Sequence, residues 1–502
     1  MMAAEKITIT KSLNDLLMDF TAVDVSIDIS GVAIDSREVK PGDLFMAYRG
    51  SQCNGTDYID DAIQSGAVAI AIDEDEEINL KSISVTTVRV PDLRKQAGLI
   101  ISRFFDEPSK EMQVIGVTGT NGKTTVSYML AYALYVLGKN SAVAGTLGYG
   151  RFRQIETGTV TTPDPVKLHS LFSSWRDEVD FVAMEVSSHA LDQGRVTGTA
   201  FDIAIFTNLS RDHLDYHKTL EDYADAKFQL FESPGLKHAI INIDDAYGAQ
   251  LVDSLPGALN IVAYSTKSNQ PESDNKDVSF VYCEKSEIDA LKTELTVQSP
   301  WGQATIQTSL LGEFNSENIL AAFSTLCVSG FAVEKVAATL SGFTGIPGRM
   351  EYFAAEDGPL LVVDYAHTPD ALEKALTALR PYCSGKLHCV FGCGGDRDVG
   401  KRSQMGSIAE LLSDQIVLTN DNPRNESQEK IVENILAGVK DKSRITIKYD
   451  RSDAIINTFL CANKDDVILI AGKGHETTQQ IGPTLLPFSD RELARRLTED
   501  RA

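Results

Sequence analysis

Val114-Ile-Gly-Val-Thr-Gly-Thr-Asn-Gly-Lys-Thr-Thr125 is the stretch around which the chain is organised. The apolar, β-branched run at 112–117 predicts a buried strand, and the apolar-periodic run at 126–137 predicts a helix. A glycine-rich turn lies between them. Glycines let backbone N–H groups converge on an anion, and a helix N-terminus adds partial positive charge. Lys123 has the reach for β/γ-phosphates, and the Thr124 hydroxyl suits Mg²⁺. The common form Gly-x-x-x-x-Gly-Lys-Ser/Thr is not met, because five residues separate Gly116 from Gly122. A plain strand–turn–helix corner would explain the glycines but not Lys-Thr at the helix start.

Outward from this loop, buried strands are expected at 180–186, 201–207 and 238–243, with a helix at 219–231. Strands alternating with helices indicate a parallel sheet wound on both faces, with ligands at the carboxyl ends of its strands. Residues 278–310 alternate like antiparallel strands, and 315–328 read as a helix. The segment before the loop predicts a small α/β unit with strands at 32–37, 44–48 and 67–72. After residue 345 the α/β pattern returns, with strands at 360–365, 387–392, 415–419 and 466–471. The expected architecture is therefore α/β with three domains, at 1–100, 101–345 and 346–502. The central one is a doubly wound, mostly parallel P-loop sheet and the last a Rossmann-like sheet.

A chain of 502 residues, 43% hydrophobic and 24% charged, can bury several cores. Its net charge of −24 argues against a general nucleic-acid binder, since phosphates repel an acidic surface. Seven scattered cysteines without a Cys-x-x-Cys pair fit a reduced cytoplasmic protein. No apolar h-region follows Met1, and no run of 18 apolar residues predicts membrane insertion.

Polar residues cluster where strands of the central sheet end. Glu185 and His213 are candidate neighbours of Mg²⁺, although that ion prefers oxygen; a loop histidine with an ordinary hydrogen bond explains His213 equally well. Lys227 carries no signal in its spacing and reads as a solvated or snorkelling helical lysine. In the last unit, Asp364-Tyr-Ala-His367, Gly392-Cys-Gly-Gly-Asp-Arg397, Asp421-Asn-Pro-Arg424 and Gly472-Lys-Gly-His-Glu476 each follow a strand. Four strand ends on one sheet converge on one cleft, and arginine there suits carboxylate or phosphate.

Together, Gly119-Thr-Asn-Gly-Lys-Thr-Thr125, Met184-Glu-Val-Ser-Ser-His189, Asn208-Leu-Ser-Arg-Asp-His-Leu-Asp215, Phe314-Asn-Ser-Glu-Asn318, Pro347-Gly-Arg-Met-Glu351 and Asp364-Tyr-Ala-His-Thr-Pro369 resemble the Mur ligase family. These are ATP-dependent amide-forming enzymes of peptidoglycan precursor synthesis. The resemblance runs from Asp35 to Glu476. Asp35-Ser-Arg37 and Gly42-Asp-Leu-Phe45 are similar to the branch that adds the third residue of the stem peptide. Asp421-Asn-Pro-Arg424 is similar to members that select meso-2,6-diaminopimelate.

The resemblance implies a function: addition of meso-2,6-diaminopimelate to UDP-N-acetylmuramoyl-L-alanyl-D-glutamate through an acyl phosphate, in the cytoplasm. L-lysine or another diamino acid as the amine, or a non-catalytic nucleotide-binding relative, stay open. The N-terminal domain would bind the UDP-sugar, the central one ATP and the last the amino acid. The resemblance gives catalytic roles to Lys123, Glu185, His213 and Lys227, the last carbamylated. Mg²⁺ would be held by Thr124, Glu185, His213 and the modified Lys227. ATP would meet Gly119, Thr120, Asn121, Gly122, Lys123, Thr124 and Thr125, with Asn318, Arg349 and Asp364 at base and ribose. The UDP-sugar peptide would meet Ile34, Ser36, Ser51, Gln52, Cys53, Thr161, Thr162, Ser187, Gln193 and Arg195. Diaminopimelate would meet Arg397, Asp421, Asn422, Pro423, Arg424, Gly472 and Glu476. The expected state is a monomer that binds no nucleic acid.

Overall fold

The computed structural model describes residues 9–499 except 24, 51–52, 78–82, 159, 268–277, 290 and 355–356. Three α/β layers follow one another along the chain. The first is a four-stranded parallel sheet of β1 (Gly31–Ala33), β2 (Asp43–Ala47), β3 (Ala69–Asp73) and β4 (Thr86–Val90), in that order. Every residue of β2 is buried, as a strand covered on both faces requires. Helix α1 (Leu93–Phe104) lays Leu93, Ala97, Ile100, Ile101 and Phe104 on this core, a spacing that forms one helical face.

The central sheet has eleven strands. They are β5 (Gln113–Thr118), β6 (Ser141–Gly145), β7 (Gly148–Arg151), β8 (Gln154–Glu156), β9 (Phe181–Glu185), β10 (Ile203–Phe206), β11 (His238–Asn242), β12 (Asn260–Ser265), β13 (Val278–Asp289), β14 (Lys292–Gln298) and β15 (Ala304–Thr308). Their order is β8-β7-β6-β9-β5-β10-β11-β12-β13-β14-β15. The strand that feeds the glycine-rich loop, β5, lies between β9 and β10 and is parallel to both. Along β5 side chains alternate: Ile115 and Val117 enter one core and Val114 the other. Both faces are covered, so the sheet is doubly wound. On one face lie α2 (Lys123–Val136) and the helix Glu313–Val328; on the other lie Pro165–Trp175 and Leu220–Phe228. The antiparallel reading of 278–310 needs one correction. Strand β13 is antiparallel to β14 but parallel to β12, so it extends the parallel sheet before the hairpins begin.

The last sheet contains β16 (Glu351–Ala354), β17 (Leu360–Asp364), β18 (Leu387–Phe391), β19 (Gln415–Leu418), β20 (Ile445–Ile447) and β21 (Val467–Ala471), ordered β16-β17-β21-β18-β19-β20. Only β16 is antiparallel to its neighbour. The carboxyl ends of β17, β18, β19 and β21 carry the four polar motifs. Among the described residues no helix is long and apolar enough to cross a membrane.

Candidate active site

The loop after β5 is pressed against its neighbours. Gly119 and Gly122 have φ of 143° and 88°. A Cβ at Gly119 would lie 2.0 Å from Thr207 Oγ1, and one at Gly122 would lie 2.5 Å from Asn318 Oδ1. Only glycine satisfies both demands. Asn208 fastens the loop: its Oδ1 accepts from Asn121 N at 2.9 Å and its carbonyl from Thr120 N at 2.8 Å. Helix α2 starts at Lys123 with no side-chain cap, which leaves first-turn amides for an anion. Lys123 Nζ folds back and donates to Gly119 O (2.8 Å) and Thr120 O (2.9 Å).

Glu185 ends β9 and is 1% exposed. Its Oε2 accepts from Thr124 Oγ1 at 3.0 Å and from Thr146 Oγ1 at 3.1 Å; its Oε1 accepts from Thr146 N at 2.7 Å. Thr146 was not foreseen, because a threonine after a strand carries no sequence signal. The Thr124 and Glu185 oxygens form a donor pair suited to a hard divalent cation.

Lys227 corrects its sequence reading as a solvated side chain. It is 1% exposed, donates from Nζ to Gly119 O at 3.0 Å, and stands 4.3 Å from the centroid of the Tyr223 ring. Burial, reinforced by the charge of Lys123, pushes its pKa well below 10.5. Burial also lowers the pKa of Lys123, which Glu185 partly offsets. Two lysines therefore meet on the carbonyl of Gly119. His213 has a φ of 54° and precedes the turn of helix Leu214–His217. Its Nε2 is 3.4 Å from Asp212 Oδ2, and its ring is 4.8 Å from that of His189. Among the described residues no cluster of three or more His, Cys, Asp or Glu side chains is placed to hold a metal.

Three residues expected at a nucleotide base and ribose surround the loop. Asn318 is buried and donates to Asn315 Oδ1 at 3.1 Å. The Arg349 guanidinium stacks 4.5 Å from the Tyr365 ring centroid. Asp364 Oδ2 accepts from Met350 N (2.8 Å) and Oδ1 from Ala366 N (2.9 Å). Burial raises the Asp364 pKa, and Arg349 opposes the shift.

Thr161, Thr162, Ser187, Gln193 and Arg195 form one hydrogen-bonded group next to Glu185. Thr162 Oγ1 donates to Glu185 O (2.9 Å) and accepts from Ser187 N (3.1 Å); Thr146 Oγ1 and Thr161 Oγ1 are 3.1 Å apart. Arg195 donates to Thr162 O (3.1 Å) and Gln193 Oε1 (2.9 Å). Tyr48, from the end of β2, faces the same group. Burial and Asp164 push its hydroxyl pKa up to about 12, with Arg94 and Arg195 opposing. Ile34 packs on the first core, Ser36 is buried and Cys53 is exposed. No hydrogen bond among the described residues joins these three to the Thr161–Arg195 group, and Ser51 and Gln52 lie outside the described residues.

At the ends of β18, β19 and β21 the remaining residues converge. Arg424, with φ of 50°, donates from Nη1 to Gly395 O at 2.8 Å. Asp421 Oδ1 accepts from Asn422 N at 2.7 Å, and burial raises its pKa against Arg451 and Lys473. A Cβ at Gly472 would lie 2.5 Å from Asp421 Oδ2. Asn422 Nδ2 donates to Glu476 Oε2 at 2.9 Å. The loop rests on Arg451, which is wholly buried against Asp490 and donates from Nη1 to Asn420 O at 3.2 Å.

These sets share one cleft of about 1340 Å³. Residues 120–125, Thr161, Glu185, His213, Asn318, Arg349 and Asp364 line it together with Arg397, Asp421, Asn422, Arg424, Gly472 and Glu476. Gly119, Lys227, Thr162, Ser187, Gln193, Arg195, Pro423, Ile34, Ser36 and Cys53 are not among the residues that line it. A separate hollow of about 570 Å³ beside β3 is lined by Asp73, Asp75, Glu76, Glu77 and Asp92 together with Arg49 and Arg94, so it carries both signs of charge.

Three family models match the chain: the Mur ligase family catalytic domain at 28–105, the Mur ligase middle domain at 117–326, and the Mur ligase glutamate ligase domain at 348–474. The UDP-N-acetylmuramoyl-L-alanyl-D-glutamate–2,6-diaminopimelate ligase of Coxiella burnetii is 46% identical, over 95% of this chain and 96% of its own. The enzyme of the same name from Pseudomonas aeruginosa is 43% identical over 97% of both. A solved structure of a ligase of that name superposes with a TM-score of 0.71 at 34% identity, covering 98% of this chain and 99% of its own. A MurF ligase from Thermotoga maritima, solved with ADP, shares the fold at a TM-score of 0.60 and 20% identity.

Proposed function

The chain belongs to the Mur ligase family, and from that premise we propose an ATP-dependent ligase that joins meso-2,6-diaminopimelate to UDP-N-acetylmuramoyl-L-alanyl-D-glutamate. One observation carries this reading: Lys123 and Glu185 line the same cleft as Arg424 and Glu476. A phosphoryl donor, a carboxylate to be activated and an amino acid can then meet in one cavity.

In this reading the free side-chain carboxylate of the D-glutamyl residue attacks the γ-phosphorus of ATP. An O–P bond forms, the bond to ADP breaks, and an acyl phosphate results. The amine of diaminopimelate attacks the acyl carbon and loses a proton, and phosphate leaves. Positioning and charge neutralisation carry most of the first step. Lys123 would turn from Gly119 O and Thr120 O to the β/γ-phosphates, helped by the first-turn amides of α2. Thr124 and Glu185 would hold Mg²⁺, which offsets phosphate charge when bound. Lys227, whose pKa is lowered by burial and by Lys123, would in its deprotonated form attack CO₂ with its lone pair and release a proton. The resulting carbamate, with His213, would serve a second Mg²⁺.

Asn318, Arg349 and Asp364 would take the base and ribose of ATP. Ile34, Ser36, Ser51, Gln52 and Cys53, with the Thr161–Arg195 group, would take the UDP-sugar peptide. Arg397, Asp421–Arg424, Gly472 and Glu476 would take the amino acid. Arg424 could pair two-pronged with the second carboxylate of diaminopimelate, a group lysine lacks. The working units are 1–100, 101–345 and 346–502, although the packing of α1 would move the first boundary past Phe104. A cytoplasmic monomer suffices, since one chain lines the whole cleft and all seven cysteines are free thiols. The chemistry is tested with substrate carrying heavy oxygen in the D-glutamyl side-chain carboxylate. Transfer of one labelled oxygen to phosphate is the expected result; unlabelled phosphate would exclude the acyl phosphate.

A further inference from the structure

Lys473 is absent from every substrate assignment above, yet it is a fully buried cation, 0% exposed. It follows β21 and reaches the loop after β19. Its Nζ donates to Asn422 Oδ1 at 3.0 Å and to Glu476 Oε2 at 2.6 Å. Asn422 closes the triangle, donating from Nδ2 to the same Glu476 Oε2 at 2.9 Å. The Asn422 Oδ1 also accepts from Gln480 N at 2.9 Å. Both ends of the Asn422 amide are thus committed inside the protein, and Asn422 is only 8% exposed.

Glu476 differs. Its side chain is 30% exposed and lines the cleft. Two buried donors occupy Oε2, while Oε1 receives no hydrogen bond among the described residues. The arrangement divides the carboxylate: Oε2 is the anchored oxygen and Oε1 the working one. Burying an ammonium is costly unless it is paired and hydrogen-bonded, and the carboxylate and amide oxygens meet that demand.

We propose that Lys473 is a positioning residue for amino-acid recognition, acting through Glu476. Together with Asn422 it clamps Oε2 so that Oε1 accepts an ammonium group of the incoming diamino acid. Asn422 then belongs to the clamp rather than to the substrate-touching set. This inference rests on the amino-acid subsite proposed above.

The test is a double-mutant cycle of Lys473→Met and Glu476→Gln, read as KM and kcat for the amino acid in an ADP-release assay, with melting curves as a folding control. K473M is expected to raise the KM for diaminopimelate about 10- to 100-fold, with KM for ATP and the UDP-dipeptide within about twofold. In the E476Q background the same substitution should add less than about threefold, because a residue acting through Glu476 has nothing left to position. A K473M enzyme with unchanged amino-acid KM, or one whose effects multiply with those of E476Q, overturns the proposal. If K473M shows no cooperative melt, K473Q takes its place, with the same two outcomes. Wild-type enzyme that uses only lysine would reject the proposed substrate but not the clamp, since the cycle would then be run with lysine.

Discussion

Asn121 of the phosphate loop donates from Nδ2 to Asp370 Oδ2 at 2.7 Å. The same carboxylate oxygen accepts from Ser210 Oγ at 3.1 Å and pairs with Lys374 at 3.1 Å. Asp370 stands in the first turn of helix Pro369–Leu379, which packs on the last sheet, so this oxygen joins the loop to the unit that carries Arg424.

The first prediction concerns that contact. Asp370→Asn keeps the shape and removes the charge. Hydrogen bonds to charged groups contribute about 1.5–3 kcal/mol, so kcat/KM for ATP should fall roughly 10- to 100-fold. The KM for the amino acid should change less than about twofold. Unaltered ATP kinetics would show the contact to be incidental.

Lys227 supplies a second prediction, with opposite signs for stability and activity. Its folded-state pKa lies well below 10.5. Between that value and 10.5 the unfolded chain binds a proton that the native chain does not, so native stability rises with pH across the window. Lys227→Met removes this dependence. The variant should melt higher than wild type near neutral pH and lose activity. The stability gap should shrink as pH approaches 10.5. A K227M enzyme with full activity would remove Lys227 from the chemistry.

A third prediction uses the wall behind Glu185. A Cβ at Gly145 would lie 2.2 Å from Glu185 Oε1. Gly145→Ala must displace the carboxylate from Thr124 and Thr146. The expected loss is in kcat, at least roughly tenfold, with the melting temperature changed by only a few degrees. Wild-type kcat in G145A would show that Glu185 need not stand where it does.

Glu317 gives a pH-linked prediction. Burial and the charge of Asp244 push its pKa up from 4.5 to about 7. Below 4.5 both states are protonated and nothing is lost. As pH rises to about 7 the native state holds its proton longer than the unfolded chain, so stability falls, by at most about 3 kcal/mol. Glu317→Gln should therefore melt above wild type beyond pH 7, with the difference gone below pH 4.5. An equal gap at both pH values would contradict this.

The strand positions, the loop and the convergence of the polar motifs were legible because they are local or periodic, whereas the order of the strands in each sheet was not read from the sequence. The apolar run before the glycines became β5 within one residue, and the four polar motifs did fall at strand ends on one cleft. Lys227 was not legible from its own spacing. Helical period fixes which face it occupies, but not that this face meets the loop, where Tyr223 contacts Thr120 and Lys227 contacts Gly119 O. Thr146 and Asp370 escaped for a similar reason: a threonine after a strand and an aspartate in a helix's first turn are ordinary residues. The Asn121–Asp370 bond spans 249 positions. Asn422 lines the cleft as its motif position suggested, but the sequence did not disclose that its amide is also bonded to Lys473 and Glu476.

In the proposed function one cleft couples ATP to the acylation of a diamino acid chosen by Arg424. The most direct measurement is ADP release with UDP-N-acetylmuramoyl-L-alanyl-D-glutamate and a panel of amino acids, with the product weighed, for wild type and Arg424→Ala. The account predicts turnover with meso-2,6-diaminopimelate well above that with L-lysine, and loss of most of this preference in R424A. Lysine outperforming diaminopimelate in wild type, or an R424A enzyme with its preference intact, would contradict it.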